Sequence, residues 1–182
     1  MARRRFVSAL AAAQSVVVDD VTARAVSSLR SLRTVDEIVD AAPQVLTSMG
    51  FERVIFSDVT DGVWTPLEIH IPRDAPWARD ILEAGRSAPQ ELTPQLIETD
   101  MIRQRRPYIV REVQDNPRVN QPIAMSSRSS QYLAAPVTVG DQVGVLLHVD
   151  RYFGGAPFSS FEATQLAVFA EALGMAIERA QL

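Results

Sequence analysis

The chain has 182 residues, a length suited to one domain that buries about two thirds of its unfolded surface. Its formal charge of −4 gives no electrostatic reason to expect nucleic acid or an anionic membrane as a direct partner, and no run of roughly 18 apolar residues offers a membrane span. With no cysteine, disulfides, thiolate metal sites and thiol nucleophiles are excluded.

At the N-terminus, Arg3-Arg4-Arg5-Phe6-Val7 and the small residues after it resemble the start of a twin-arginine export signal. Ser8, Gln14 and Ser15 interrupt the apolar region and Asp19-Asp20 leads into a helical pattern, so the expectation is a helix with a basic, solvated end. Val21, Ala25, Val26, Leu29 and Leu32 recur at helical spacing from Asp20 onward. Thr34-Val35-Asp36-Glu37 reads as a capping box that starts a second helix, with Ile38, Ala42, Val45, Leu46 and Met49 on its buried face and Gly50 as its stop. Arg53 to Val59 and Val63 to Ile71, separated by Thr60-Asp61-Gly62, predict a hairpin.

Three prolines between Pro72 and Pro89, with a short helical hint from Trp77 to Leu82, predict an irregular segment. Thr93-Pro94 is a helix start, Leu96, Ile97, Met101 and Ile102 give that helix an apolar face, and Tyr108 to Val113 follows as a strand. Residues 114–129 have no clear period and predict a loop anchored by Val119, Ile123 and Met125. Gln131 to Val139 and Val143 to Asp150 form a second hairpin around Gly140, apolar on both faces as strands covered on both sides must be. From Phe158 a long helix repeats apolar residues at three and four positions, and Phe161, Val168, Ala172 and Met175 add a second apolar strip beside the first.

The order of small elements in this C-terminal half resembles the GAF domain family. Ser130, Leu133, Pro136-Val137, Gly140, Gly144-Val145-Leu146, Phe158-Ser159, Glu162 and the closing helix match the family's succession, and Arg106-Pro107-Tyr108-Ile109-Val110 is similar to its entry into the preceding strand. The likeness covers roughly residues 30 to 181. It implies an α+β fold: an antiparallel sheet of about five to six strands, the N- and C-terminal helices on one face, and the middle helix and long loops roofing a small-molecule pocket on the other. Residues 1–33 then form an N-terminal helical segment for dimerisation and signalling, and residues 34–182 the GAF domain. The general look of the sequence resembles the N-terminal sensor domain of actinobacterial-like transcriptional regulators, which implies a cytoplasmic protein acting on an effector domain.

The pocket is expected to be lined by Phe56, Trp64, Trp77, Leu96, Met101, Met125, Tyr132 and His148 and to take a small apolar or mixed metabolite. Arg103, Arg111 and Arg128 are candidates to contact an anionic group of that ligand. Leu29, Phe161, Val168, Ala172 and Met175 are candidates for a homodimer interface. The cyclic-nucleotide pattern of the family reads Asn-Lys, Phe and Asp-Glu, whereas this chain has Asp150-Arg151, Phe158 and Glu162-Ala163, which argues against that ligand. His70 and His148 raise haem, but no pair of ligands has metal spacing, so structural histidines and no cofactor are expected. Neither a phosphate loop nor a nucleophile motif occurs, and no enzyme is expected. The alternatives are a ligand-free dimerisation module and a haem-based redox or gas sensor.

Overall fold

The protein is described by a computed structural model covering residues 17–71, 77–151 and 155–182, with the side chains of residues 77 and 78 outside the description. The arginine-rich start, and with it the choice between helix and export signal, lies outside the described residues. In chain order the elements are α1 (Asp20–Ser28), continued by a 3₁₀ turn (Leu29–Ser31), α2 (Val35–Ser48), β1 (Arg53–Thr60), β2 (Val63–His70), α3 (Trp77–Ser87), β3 (Gln90–Glu91), α4 (Ile97–Gln104), β4 (Tyr108–Arg111), α5 (Gln121–Ser127), β5 (Gln131–Val139), β6 (Gln142–Asp150) and α6 (Ser160–Gln181). The strands form one antiparallel sheet in the order β3-β2-β1-β6-β5-β4. The expected α+β architecture is therefore present, with six strands.

Strand alternation divides the molecule into two cores. Val54 and Phe56 of β1, Leu133, Ala135 and Val137 of β5 and Val145, Leu147 and Val149 of β6 face α1, α2 and α6, where Leu29, Ile38, Leu46, Leu166, Phe169 and Leu173 close over them. The alternate residues, Ile55, Tyr132, Ala134 and Leu146, face a roof of α3, α4 and α5 anchored by Ile81, Met101 and Ile123. Covering on both sides explains why β5 and β6 carry almost no exposed residue.

The helix face is fixed at its ends by local chemistry. Thr34 and Ser159 each accept from the amide three residues on while Glu37 and Glu162 return to the cap, so α2 and α6 both start in full capping boxes. At the other end of α6, Arg179 donates to the carbonyls of Leu29 and Leu32 at 3.0 and 2.9 Å, which ties the two terminal helical segments together. Gly174 lets α6 lie against β5: a Cβ there would come within 2.0 Å of the Thr138 carbonyl oxygen.

Three expectations need correction. The segment after β2 is not irregular, since α3 runs for 11 residues. Its contact with the sheet is made through Gly85, where a Cβ would meet the Pro66 ring at 2.4 Å, and through Ile81, so it leaves only a thin apolar stripe in the sequence. Residues 114–129 are not a plain loop either: Asn120 caps α5 by accepting from the Ile123 amide at 3.0 Å, with Pro122 in its first turn, but seven residues are too few for a period. Finally, Thr93-Pro94 makes a turn in which the Thr93 carbonyl accepts from the Leu96 amide and the Thr99 hydroxyl, and α4 starts three residues later than predicted.

Because the obstacle at Gly174 is backbone, Gly174→Ala is expected to lower the free energy of unfolding by about 1–3 kcal/mol. Gly144→Ala, whose Cβ would meet Val139 at ordinary distances of 3.6 and 3.7 Å, serves as the matched control and should cost under about 1 kcal/mol in urea unfolding.

Candidate functional site

Between the roof and the sheet lies a cavity of about 40 Å³, lined by β1, β2, β5 and β6 from below and by α4, α5 and the 113–129 segment from above. Its two ends differ chemically. At the first, Arg53 of β1 stands directly opposite Asp150 of β6 in the strand register. The Arg53 Nε donates to both carboxylate oxygens at 2.9 and 3.1 Å, and a terminal guanidinium nitrogen makes a further ion pair with Oδ2. The guanidinium also donates to the Ser127 carbonyl at 3.0 Å and to the Ser129 hydroxyl at 2.6 Å, while that hydroxyl donates to Asp150. A charge pair this deeply buried is held by its geometry and by these extra hydrogen bonds.

At the second end sit Trp64, Glu98, Tyr132 and His148. His148 and Trp64 stack with ring centroids 4.8 Å apart and planes 14° from parallel, and Tyr132 leans on the His148 ring at 5.4 Å. The Tyr132 hydroxyl donates to Glu98 Oε1 at 2.7 Å, and His148 Nε2 lies 3.4 Å from the same oxygen. Burial pushes the ionisation of Tyr132 well above its usual value of 10, and the neighbouring Glu98 carboxylate adds to the effect, so Tyr132 stays a neutral donor. Glu98 Oε2, His148 Nδ1 and Trp64 Nε1 are buried with no hydrogen-bond partner among the described residues.

Of the residues singled out in the sequence, Trp64, Tyr132 and His148 come together in this cavity. Phe56 does not, because on β1 it alternates with Ile55 and points into the core beneath the helices. Met125 is 70% exposed on the outer face of α5. Leu96 and Met101 are buried at the start and within α4 but do not line the cavity, and the Trp77 side chain lies outside the described residues. The three arginines expected around an anion are on the surface: Arg103 pairs with Asp100 at 2.6 Å, and Arg111 and Arg128 are exposed. Leu29 is core, since it packs under α6, and therefore cannot form a dimer interface; Phe161 and Met175 are exposed, with Val168 and Ala172 half-buried between them. Among the described residues no group of three His, Asp or Glu could hold a metal. His70 lies half-buried at the end of β2.

Sequence reasoning missed Arg53, Glu98, Asn120, Ser127 and Ser129. Arg151 bonds the Ala156 carbonyl and Glu162, while its neighbour Asp150 pairs with Arg53. A signal existed for the pair: an arginine and an aspartate inside strands with both faces covered must meet each other. For Glu98, the clue is that it shares a helical face with Met101 and Ile102 at spacings of three and four.

The family model described as GAF domain matches residues 31–177. Among curated proteins no sequence match is found. The GAF domain of a phosphoenolpyruvate-protein phosphotransferase from Coxiella burnetii is similar at a TM-score of 0.68 and 9% identity, covering 88% of this chain and 92% of the other. A free methionine-R-sulfoxide reductase from Neisseria meningitidis, in complex with its substrate, is similar at 0.61 and 18%, over 89% of each chain. A far-red-absorbing protein in its dark state with bound biliverdin IXa is similar at 0.65 and 16%, over 90% and 100%.

Since a buried carboxylate stripped of its cation is strongly unfavourable, Arg53→Met is expected to cost about 3–5 kcal/mol, and Asp150→Leu in the same chain to restore most of that loss. Urea unfolding of the two variants against the parent checks both halves of the expectation.

Proposed function

The chain belongs to the GAF domain family, whose members are small-molecule-binding sensor domains, and we propose that it is the sensor of a bacterial, cytoplasmic transcription regulator, binding a small metabolite of mixed polarity between roof and sheet. The observation that carries this reading is the cavity itself, where buried polar atoms without partners among the described residues stand beside an aromatic stack. Such groups are costly unless something satisfies them.

A cavity of about 40 Å³ is far below the roughly 300–1,000 Å³ of drug-sized ligand sites, so anything larger than a few atoms enters only if the roof yields. Polar ties are few there: Gln114 joins roof segments through the carbonyls of Ala124 and Ser129, both at 2.8 Å, Arg118 does so through that of Gln95 at 3.0 Å, and Arg86 of α3 reaches the sheet through that of Pro66 at 3.2 Å, beside the apolar contacts of Ile81, Met101 and Ile123. Occupancy has a short route to the outside, because Asp150 at the cavity is followed by Arg151, which pairs with Glu162 in the first turn of α6. A haem-based sensor is disfavoured, since a macrocycle would have to displace Trp64 from its stack on His148. The net charge of −4 leaves any DNA contact to an effector domain, and without a cysteine the chain has no thiol for covalent or redox chemistry.

For output we propose a homodimer through α6. Phe161, Val168 and Met175 recur at seven-residue spacing on its outer face, with Phe161 47% and Met175 60% exposed, which is the pattern of a helix that packs against its own copy.

A thermal-shift screen of metabolites against the whole chain tests the sensor reading: a ligand at about 100 times its Kd stabilises by about 2.7 kcal/mol. Absence of any stabilising compound would leave the ligand-free dimerisation module. Light scattering tests the output: a dimer is expected, dissociating in Phe161→Glu/Met175→Glu without loss of thermal stability, whereas a monomeric parent at high concentration contradicts it.

A further inference from the structure

The chemistry of the cavity's second end constrains what a ligand must carry, on the reading that the cavity is a ligand site. Glu98 is fully buried, yet only Oε1 is engaged. Its nearest cationic candidate is His148 Nε2 at 3.4 Å, well beyond the roughly 2.7–2.9 Å of a charge-assisted hydrogen bond. With the His148 proton on Nε2, facing Glu98, Nδ1 is an acceptor, so the cluster presents two unmatched acceptors, Glu98 Oε2 and His148 Nδ1, and one unmatched donor, Trp64 Nε1. The remaining charges of the cavity, Arg53 and Asp150, are engaged with each other. An anion would therefore meet the Glu98 carboxylate, while a nitrogen cation would offset it.

We propose that the site selects a small organic cation bearing N–H groups, such as a primary ammonium or guanidinium head, that donates to Glu98 Oε2 and His148 Nδ1 while an acceptor atom beside it takes the Trp64 indole N–H. This reverses the expectation, drawn from Arg103, Arg111 and Arg128, of an anionic head group. Glu98 lies in the first turn of α4, on the roof side of the cavity, while His148 and Trp64 belong to the sheet. A cation between them bridges roof and floor.

The chain holds two tryptophans, so a proton–nitrogen correlation spectrum of the labelled whole chain contains two indole signals, and Trp77→Phe identifies that of Trp64. Methylammonium, guanidinium and imidazolium chlorides are titrated against tetramethylammonium chloride, which has no N–H, and sodium acetate. The expected result is a saturable shift of the Trp64 indole signal and a rise in Tm with at least one N–H cation, no such response to tetramethylammonium or acetate, and a loss of affinity of at least about tenfold in Glu98→Gln. An equal response to tetramethylammonium, or a cation response unchanged in Glu98→Gln, overturns the proposal. Should Glu98→Gln fail to fold, the comparison of N–H cations with tetramethylammonium in the parent chain decides alone. Saturable binding of acetate or of a neutral metabolite, with none of any N–H cation, also overturns it while leaving the sensor reading intact; silence across these salts and the metabolite screen removes both.

Discussion

The ion pair between Arg53 and Asp150 is the interaction on which the site depends. A sheet covered on both faces has to bury whatever its strands carry, and here neighbouring strands carry opposite charges in register. Their attraction offsets the cost of removing two ions from water only because the Ser127 carbonyl and the Ser129 hydroxyl complete the shell. Those two residues sit at the end of α5 and just beyond it. One buried pair therefore joins the floor of the cavity to the 127–129 end of its roof. Apolar side chains of similar volume would fold as well by the same arithmetic, which places the value of the pair in the polar seam it creates.

The two faces of the sheet consequently differ in kind. Beneath α1, α2 and α6 lies a continuous apolar core with capped helices and a glycine-enabled helix contact, a construction that resists local opening. Under the roof, a smaller apolar cluster is interrupted by the charged and aromatic groups of the cavity, and short helices are tied down by individual hydrogen bonds. In the proposed sensor this difference separates binding, on the roof side, from transmission, on the helix side, and Arg151 and Glu162 join the strand that ends at the cavity to the helix that leaves it.

Much of the scaffold was legible because it obeys long, regular patterns. The capping boxes at Thr34 and Ser159, the Asp61-Gly62 turn and the two-sided apolar character of β5 and β6 are local signals with one physical meaning each. What failed were elements whose stability is tertiary. The α3 helix rests on Gly85 against Pro66, so its apolar stripe beyond Leu82 is thin, and α5 is a single capped segment of seven residues, too short for a period. For the site, aromatic residues on roof-facing strand positions were found, while Phe56 was placed on the wrong face by ignoring its alternation with Ile55. Exposed arginines attracted attention because they are numerous; the buried one, Arg53, is visible only once β1 is known to be covered on both sides.

The proposed sensor requires the roof to open as a unit of low stability over a rigid sheet and helix face. Native-state hydrogen exchange of the amides tests it most directly. The account predicts that amides of α3 and α5 exchange through a local opening well below the global unfolding free energy, while those of β1, β5, β6 and α6 exchange only near it. Roof amides that exchange at the global free energy, in one cooperative unit with the sheet, would contradict it.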